Sequence, residues 1–151
     1  MNQVNPGSDV AYIPWGLAGD IPVPGDYDGD GKTDIAIWRP SNGIWHVLQS
    51  SNWTVSYFKW GRNGDTPVVG DFDGDLRSDY VVVRTDEFAP RYLWLLQGSN
   101  FNFGFPLFTF WGTAGDRIVP GDYDGNVKQI LPSFDLPTVT GTRSKAMLRM
   151  L

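Results

Sequence analysis

Trp15-Gly16-x-x-Gly19-Asp20-x-x-Val23-x-Gly25-Asp26-Tyr27-Asp28-Gly29 runs directly into Asp30-Gly31-Lys32-Thr33-Asp34-Ile35-Ala36-Ile37-Trp38-Arg39. The fifteen-residue opening phrase returns from Trp60 to Gly74 and from Trp111 to Gly125, with nine positions identical in all three copies and a tenth always aromatic. Intervals of 45 and then 51 residues mark a repeat architecture, either propeller blades or a solenoid. The longer second interval is absorbed in two turns, where Arg39–Ile44 becomes Arg84–Tyr92 and Asn52–Trp60 becomes Asn100–Trp111. A repeated strand scaffold tolerates insertions of that kind at its turns.

Each full copy predicts four short strands. The first is Pro22–Gly25. The second is Asp34–Arg39, with Asp79–Arg84 in the next copy. The third is Ile44–Gln49, matched by Tyr92–Gln97, which sets His46 opposite Trp94. The fourth is Thr54–Trp60, matched by Phe108–Trp111. Pro40-Ser41-Asn42-Gly43 and Ser50-Ser51-Asn52 carry turn chemistry between them. Ile35-Ala36-Ile37 and Val81-Val82-Val83 are apolar on both faces, as in strands covered on both sides. Helical periodicity is absent, save for a hint in the last eight residues.

The expectation is therefore an all-β chain, a single domain over 1–151, built as β-propeller blades of four antiparallel strands. Repeats run about 15–59, 60–110 and 111–151, with an orphan last strand at about 10–15. The third copy decays after Gly125, where Ile130 replaces the acid found at Asp34 and Asp79, and Pro132 falls inside the expected strand. Two full blades and part of a third are too few to close a ring of four to eight. Two-fold symmetry is the commonest assembly, so a homodimer completing a ring of about six blades is expected, the alternatives being a fragment of a longer propeller or a third blade lost to truncation.

Asp26, Asp28, Asp30 and Asp34 supply hard oxygens at alternating spacing, as calcium requires. The backbone carbonyl of Lys32 can add a ligand. The second copy repeats the set with Asp71, Asp73, Asp75 and Asp79, and with Arg77 at the carbonyl position. Leu76 stands where the first copy has Gly31, at a cost of roughly 1–2 kcal/mol if its backbone is left-handed. The third copy keeps Asp122, Asp124 and Asn126 without a closing acid, so a weak or empty site is expected there. Magnesium fits less well, because it demands stricter octahedral geometry. The alternative is a set of Asx-type turns whose carboxylates cap backbone amides.

Composition narrows the remaining classes. The chain has 151 residues, 15% aromatic, with 7 Trp, no Cys and a formal net charge of −5. Lack of cysteine excludes disulfide and thiolate-metal frameworks. No basic patch stands out for nucleic acid. No apolar run approaches membrane-span length, and no charged-then-apolar leader is read, so any export signal is expected to be cleaved or absent. His46, the single histidine, has no Ser or Cys nucleophile motif beside it. Asp20, Asp65 and Asp116 read as turn carboxylates, and Glu87 has no visible partner for acid–base work. Trp15, Trp60 and Trp111 recur in phase and are expected in the core. Trp53 and the aromatic insert Phe101, Phe103 and Phe105 are the candidate contacts for a protein or glycan partner.

With these residues in view, the chain resembles the FG-GAP/VCBS repeat family. Gly25–Arg39 resembles its consensus, Gly70–Arg84 is similar but departs at Leu76, and the third copy matches only through Gly125. The resemblance implies a β-propeller with a structural calcium ion in each blade loop, in an extracellular or secreted setting. It also implies a non-catalytic role in protein interaction or adhesion. A glycan-binding lectin of the same fold is the alternative, and an accessory domain of an enzyme a more distant one.

Overall fold

A computed structural model of the chain describes residues 13–99, 106–123 and 125. Among these, eight strands and no helix are found: β1 (Ile21–Pro22), β2 (Ile35–Arg39), β3 (Ile44–Leu48), β4 (Val55–Lys59), β5 (Thr66–Val68), β6 (Tyr80–Thr85), β7 (Arg91–Gln97) and β8 (Leu107–Thr113). They form two four-stranded sheets, β1-β2-β3-β4 and β5-β6-β7-β8, in which every neighbouring pair is antiparallel. No helix among the described residues is long and apolar enough to cross a membrane.

Strand boundaries follow local chemistry. The first strand is expected at Pro22–Gly25 but β1 is only Ile21–Pro22. Pro22 and Pro24 have no amide hydrogen to give a ladder, which confines such a segment to a sheet edge. Beyond it, Val23 N still donates to Ala36 O at 3.0 Å, and Gly25 and Asp34 form an isolated bridge. The central strands agree with their expected limits to within a residue or two.

The register of the third strands differs from the sequence alignment. Ile37 faces His46 in the first sheet and Val82 faces Leu95 in the second. His46 therefore corresponds to Leu95, and Trp45 to Trp94. The turn before β7 absorbs one more inserted residue than the alignment of the turns gives it, and the following turn one fewer. This register superposes the two tryptophans that donate alike: Trp45 Nε1 to Trp60 O, and Trp94 Nε1 to Trp111 O, each at 3.0 Å.

One core joins the two sheets. Ala36, Trp38, Trp45 and Val47 of the first pack with Tyr80, Val82 and Leu95 of the second, and Tyr27 lies among them. The opposite face of the second sheet gathers Val68, Phe72, Val81, Val83, Trp94 and Leu96. Val81 and Val82 are both wholly inaccessible, as a strand covered on both sides should be. The deepest indoles are Trp38, Trp45 and Trp94. The phased tryptophans lie less deep: Trp60 and Trp111 are half-buried at the core margins, and Trp15 is half-buried as well. Their carbonyls matter as much as their rings, since Trp60 O accepts from both Trp38 and Trp45.

The repeated phrase is the joint between sheets. Trp60-Gly61 leaves β4, and its turn carboxylate Asp65 grips Arg84 of β6 with two bonds of 2.7 and 2.8 Å. Asp20 grips Arg39 of β2 in the same way at 2.8 Å twice. Paired bonds from a guanidinium to a carboxylate fix orientation as well as distance, and Arg39 holds the Asp20 carboxyl below the usual carboxylate range. Residues 13–15 of the expected orphan strand are irregular, and residues 10–12 lie outside the described residues.

Candidate metal centres

Each acidic loop bridges the first and second strands of its sheet. Its chain is folded by its own carboxylates. Asp26 accepts from Gly29 N at 2.7 Å and from Gly31 N at 2.9 Å. Asp71 accepts from Gly74 N at 2.6 Å and from Leu76 N at 2.8 Å. Asp28 and Asp73 each accept from the amide two residues on. These are the Asx-type turns expected as the alternative reading.

The same turns bring carboxylates together. Oxygens of Asp26, Asp28 and Asp34 all lie within 4.8 Å of one another, and so do those of Asp71, Asp73 and Asp79. Ligands about 2.3–2.6 Å from one calcium ion stand up to roughly 5 Å apart, so both clusters fit a hard divalent cation. Asp73 Oδ2 is buried with no hydrogen-bond donor. A shielded carboxylate oxygen without a partner is costly, and a cation would satisfy it.

Asp34 and Asp79 close the loops and are completely buried. Each spans three parts of its sheet. Asp34 accepts from Tyr27 N at 2.9 Å and from Ser50 N at 2.8 Å. Asp79 accepts from Phe72 N at 2.7 Å and from Ser99 N at 3.0 Å. The serine contacts were not anticipated, although a Ser in the same turn of both repeats was the available signal. Ser50 Oγ further donates to both oxygens of Asp30 at 3.1 Å, and Ser51 Oγ to Asp28 at 2.6 Å.

Asp30 and Asp75 do not belong to the two triads. Asp30 takes the Lys32 amide and lies 3.9 Å from the Lys32 ammonium. Asp75 takes the Arg77 amide at 2.9 Å. Asp122 repeats the Asp26 bond to Gly125 N at 2.7 Å, whereas Asp124 and Asn126 lie outside the described residues, as do Phe101, Phe103 and Phe105. Trp53 is 58% exposed, with a left-handed backbone at φ 60°. Glu87 forms an ion pair with Arg62 at 2.7 Å. His46 stacks edge-on against Tyr57, its Nε2 is unbonded, and burial pulls its imidazole below the ordinary histidine value.

Leu76 has φ 69°, the counterpart of Gly31 at φ 82°. It is well exposed, so little packing opposes the backbone strain. Leu76→Gly is expected to stabilise the protein by about 1 kcal/mol, the left-handed penalty less the entropy glycine adds to the unfolded chain. Urea unfolding at fixed pH and metal content measures it, and a loss of stability would contradict the strain.

In the second cluster, burial pushes the Asp79 carboxyl up to about 7, against the two amides that favour its charge. Burial and the Asp75 carboxylate push Asp73 up to about 6. Both are raised above the unfolded value near 3.8, so the metal-free fold holds protons that the unfolded chain has released. Stability then falls as pH rises through that window. In EDTA, Tm is expected to be higher at pH 5 than at pH 8, measured by thermal denaturation in matched buffers.

No curated protein and no solved structure matches the chain. Residues 26–82, which hold both acidic loops and the whole hairpin β2–β4 between them, match the family model of the FG-GAP-like repeat.

Proposed function

We propose that the chain is a non-catalytic, calcium-binding β-propeller module for protein interaction or adhesion, with calcium structural in its blade loops. The observation that carries this reading is the gathering of three carboxylates at the same point of both sheets. Asp26, Asp28 and Asp34 would hold one Ca2+ ion, and Asp71, Asp73 and Asp79 the other, with the Lys32 and Arg77 carbonyls, Asp30 and Asp75 as further ligands. The ion would supply charge compensation and cross-linking, tying the first two strands of each blade. Affinities of roughly 10⁻⁴–10⁻³ M suit an extracellular module, and that is the setting proposed here.

In this reading each sheet is a blade, and a second copy of the chain completes the ring. Gly16 lies against Ile37 as Gly61 lies against Val82, so Trp15-Gly16 caps the first sheet as Trp60-Gly61 caps the second. Yet Trp60 Nε1 donates to Leu95 O at 3.1 Å, whereas Trp15 Nε1 is buried without a partner. Ile35 is also partly exposed where its counterpart Tyr80 is buried. The exposure of Ile35 fits a face that awaits a neighbouring blade.

At calcium a hundredfold above Kd, each site would add about 2.7 kcal/mol, which raises Tm by roughly 5–10 °C for a chain of this size. A melt in calcium and in EDTA, with light-scattering mass, tests both parts. Equal Tm values would remove the metal from the proposal. A mass of 16.9 kDa instead of twice that would remove the dimeric ring.

A glycan-binding role is the second reading, favoured by Trp53. An exposed indole held on a left-handed backbone costs roughly 1–2 kcal/mol, and strain of this kind gathers at functional positions. Binding on a glycan array that disappears in Trp53→Ala would establish it, and silence of the unaltered protein across a broad array would remove it.

A further inference from the structure

We infer that the two acidic loops are coupled, so that a cation in one raises the affinity of the other. The inference rests on the calcium reading and goes beyond it. Ser78 N donates to Asp26 O at 2.6 Å. Asp26 contributes to the first triad, and Ser78 directly precedes Asp79, which closes the second. One hydrogen bond therefore separates the backbones of the two ligand sets.

Two further contacts run beside it. The Arg77 guanidinium lies over Gly29 of the first loop, so close that a Cβ there would stand 2.7 Å from Arg77 Nε. At Gly25 a Cβ would come within 2.9 Å of Ser78 Cβ. Glycine at both points leaves room for these side chains of the second loop against the backbone of the first. Beneath them, Tyr27, whose amide donates to Asp34, stacks on Tyr80 with ring centres 5.3 Å apart. Tyr80 follows Asp79 in the chain. Each closing acid is thus joined to the other through one stacked pair of rings in the buried core.

The sign follows from ordering. The Asp26–Ser78 bond needs both loops in their folded form. A cation that orders one loop fixes half of that bond and half of the Arg77–Gly29 contact, so the second loop has less freedom left to lose when its own cation arrives. Repulsion between the two ions acts in the opposite direction, but it is screened at the exposed loop surface.

The test is a thermodynamic cycle by calcium titration calorimetry on the whole chain. Asp28→Asn disables the first site and reports the second alone, and Asp73→Asn does the converse. The overall two-ion constant of the unaltered protein is divided by the product of these two single-site constants. Coupling predicts a ratio of about five or more, the lower end of ordinary allosteric coupling. A ratio within twofold of one overturns the inference while leaving calcium binding intact. Lack of any calcium uptake by the unaltered protein overturns the metal reading and the coupling together. Ser78→Pro removes the bridging N–H together with the serine side chain and fixes the backbone there, and, with its own single-site constants measured in the same cycle, it is expected to bring the ratio toward one. An undiminished ratio in that variant would rule out the bridge. Should Ser78→Pro not fold, the first comparison decides alone.

Discussion

Everything near the two acidic loops depends on a carboxylate buried where carboxylates are least welcome. Asp34 and Asp79 are removed from water entirely, and an ionised group so placed costs several kcal/mol unless it is bonded and compensated. Each resolves this with two backbone amides, one from the start of its loop and one from the turn after the third strand. The two bonds close a triangle of loop, second strand and hairpin turn. That triangle aims the remaining aspartates inward, so the convergence of each triad is a consequence of satisfying one buried acid. It also explains why the raised proton affinity of Asp79 belongs with this geometry. Two amides offset only part of the desolvation, and a divalent cation would offset the rest.

A second pairing works at the other end of the same strands. Arg39 and Arg84 leave β2 and β6 to clasp the turn carboxylates Asp20 and Asp65. Each second strand is thus held by a carboxylate at both ends, one its own and one belonging to the turn that precedes its sheet. The most strongly repeated phrase in the chain spans this joint. Sequence identity is highest where two sheets must meet at one fixed angle, because neither the Asp–Arg clasp nor the Trp-carbonyl acceptor tolerates a shift. The hairpins farther out vary in length, since nothing across the sheet constrains them so closely.

That difference governs what could be read from sequence. The number of strands, their order and the positions of both triads were legible in the alternating aspartates, the apolar runs at Ile35–Ile37 and Val81–Val83, and the turn residues between them. The match of His46 to Trp94 was not correct, because an insertion can be assigned to either end of a strand until the ladder fixes it. Of the phased tryptophans, Trp60 and Trp111 pack against the core clusters from their margins. Regular phase marks Trp60 and Trp111, but phase reports a repeated role, and here that role includes their backbone carbonyls at the sheet margin. Trp38, Trp45 and Trp94 fill the interior without such a regular signature. A long-range partner such as Arg62 for Glu87 leaves no local pattern, since it is set by how hairpins fold back.

The third copy shows which bonds belong to the repeated phrase itself. Asp122 still folds its loop by accepting from Gly125 N, and Tyr123 OH still donates to Val119 O at 2.6 Å, just as Tyr27 OH donates to Val23 O at 2.8 Å. Those local bonds survive without an acid at position 130, where the sequence has Ile130. Tyr27 and Phe72 at the same point of the first two copies are 5% and 2% exposed. In the first two copies the buried acid accepts the amide of that aromatic residue and so draws its ring beneath the loop into the core. The turn is therefore encoded by the first aspartate and its glycine in all three copies, and in the two described sheets the closing acid adds the bond that ties the loop to its sheet.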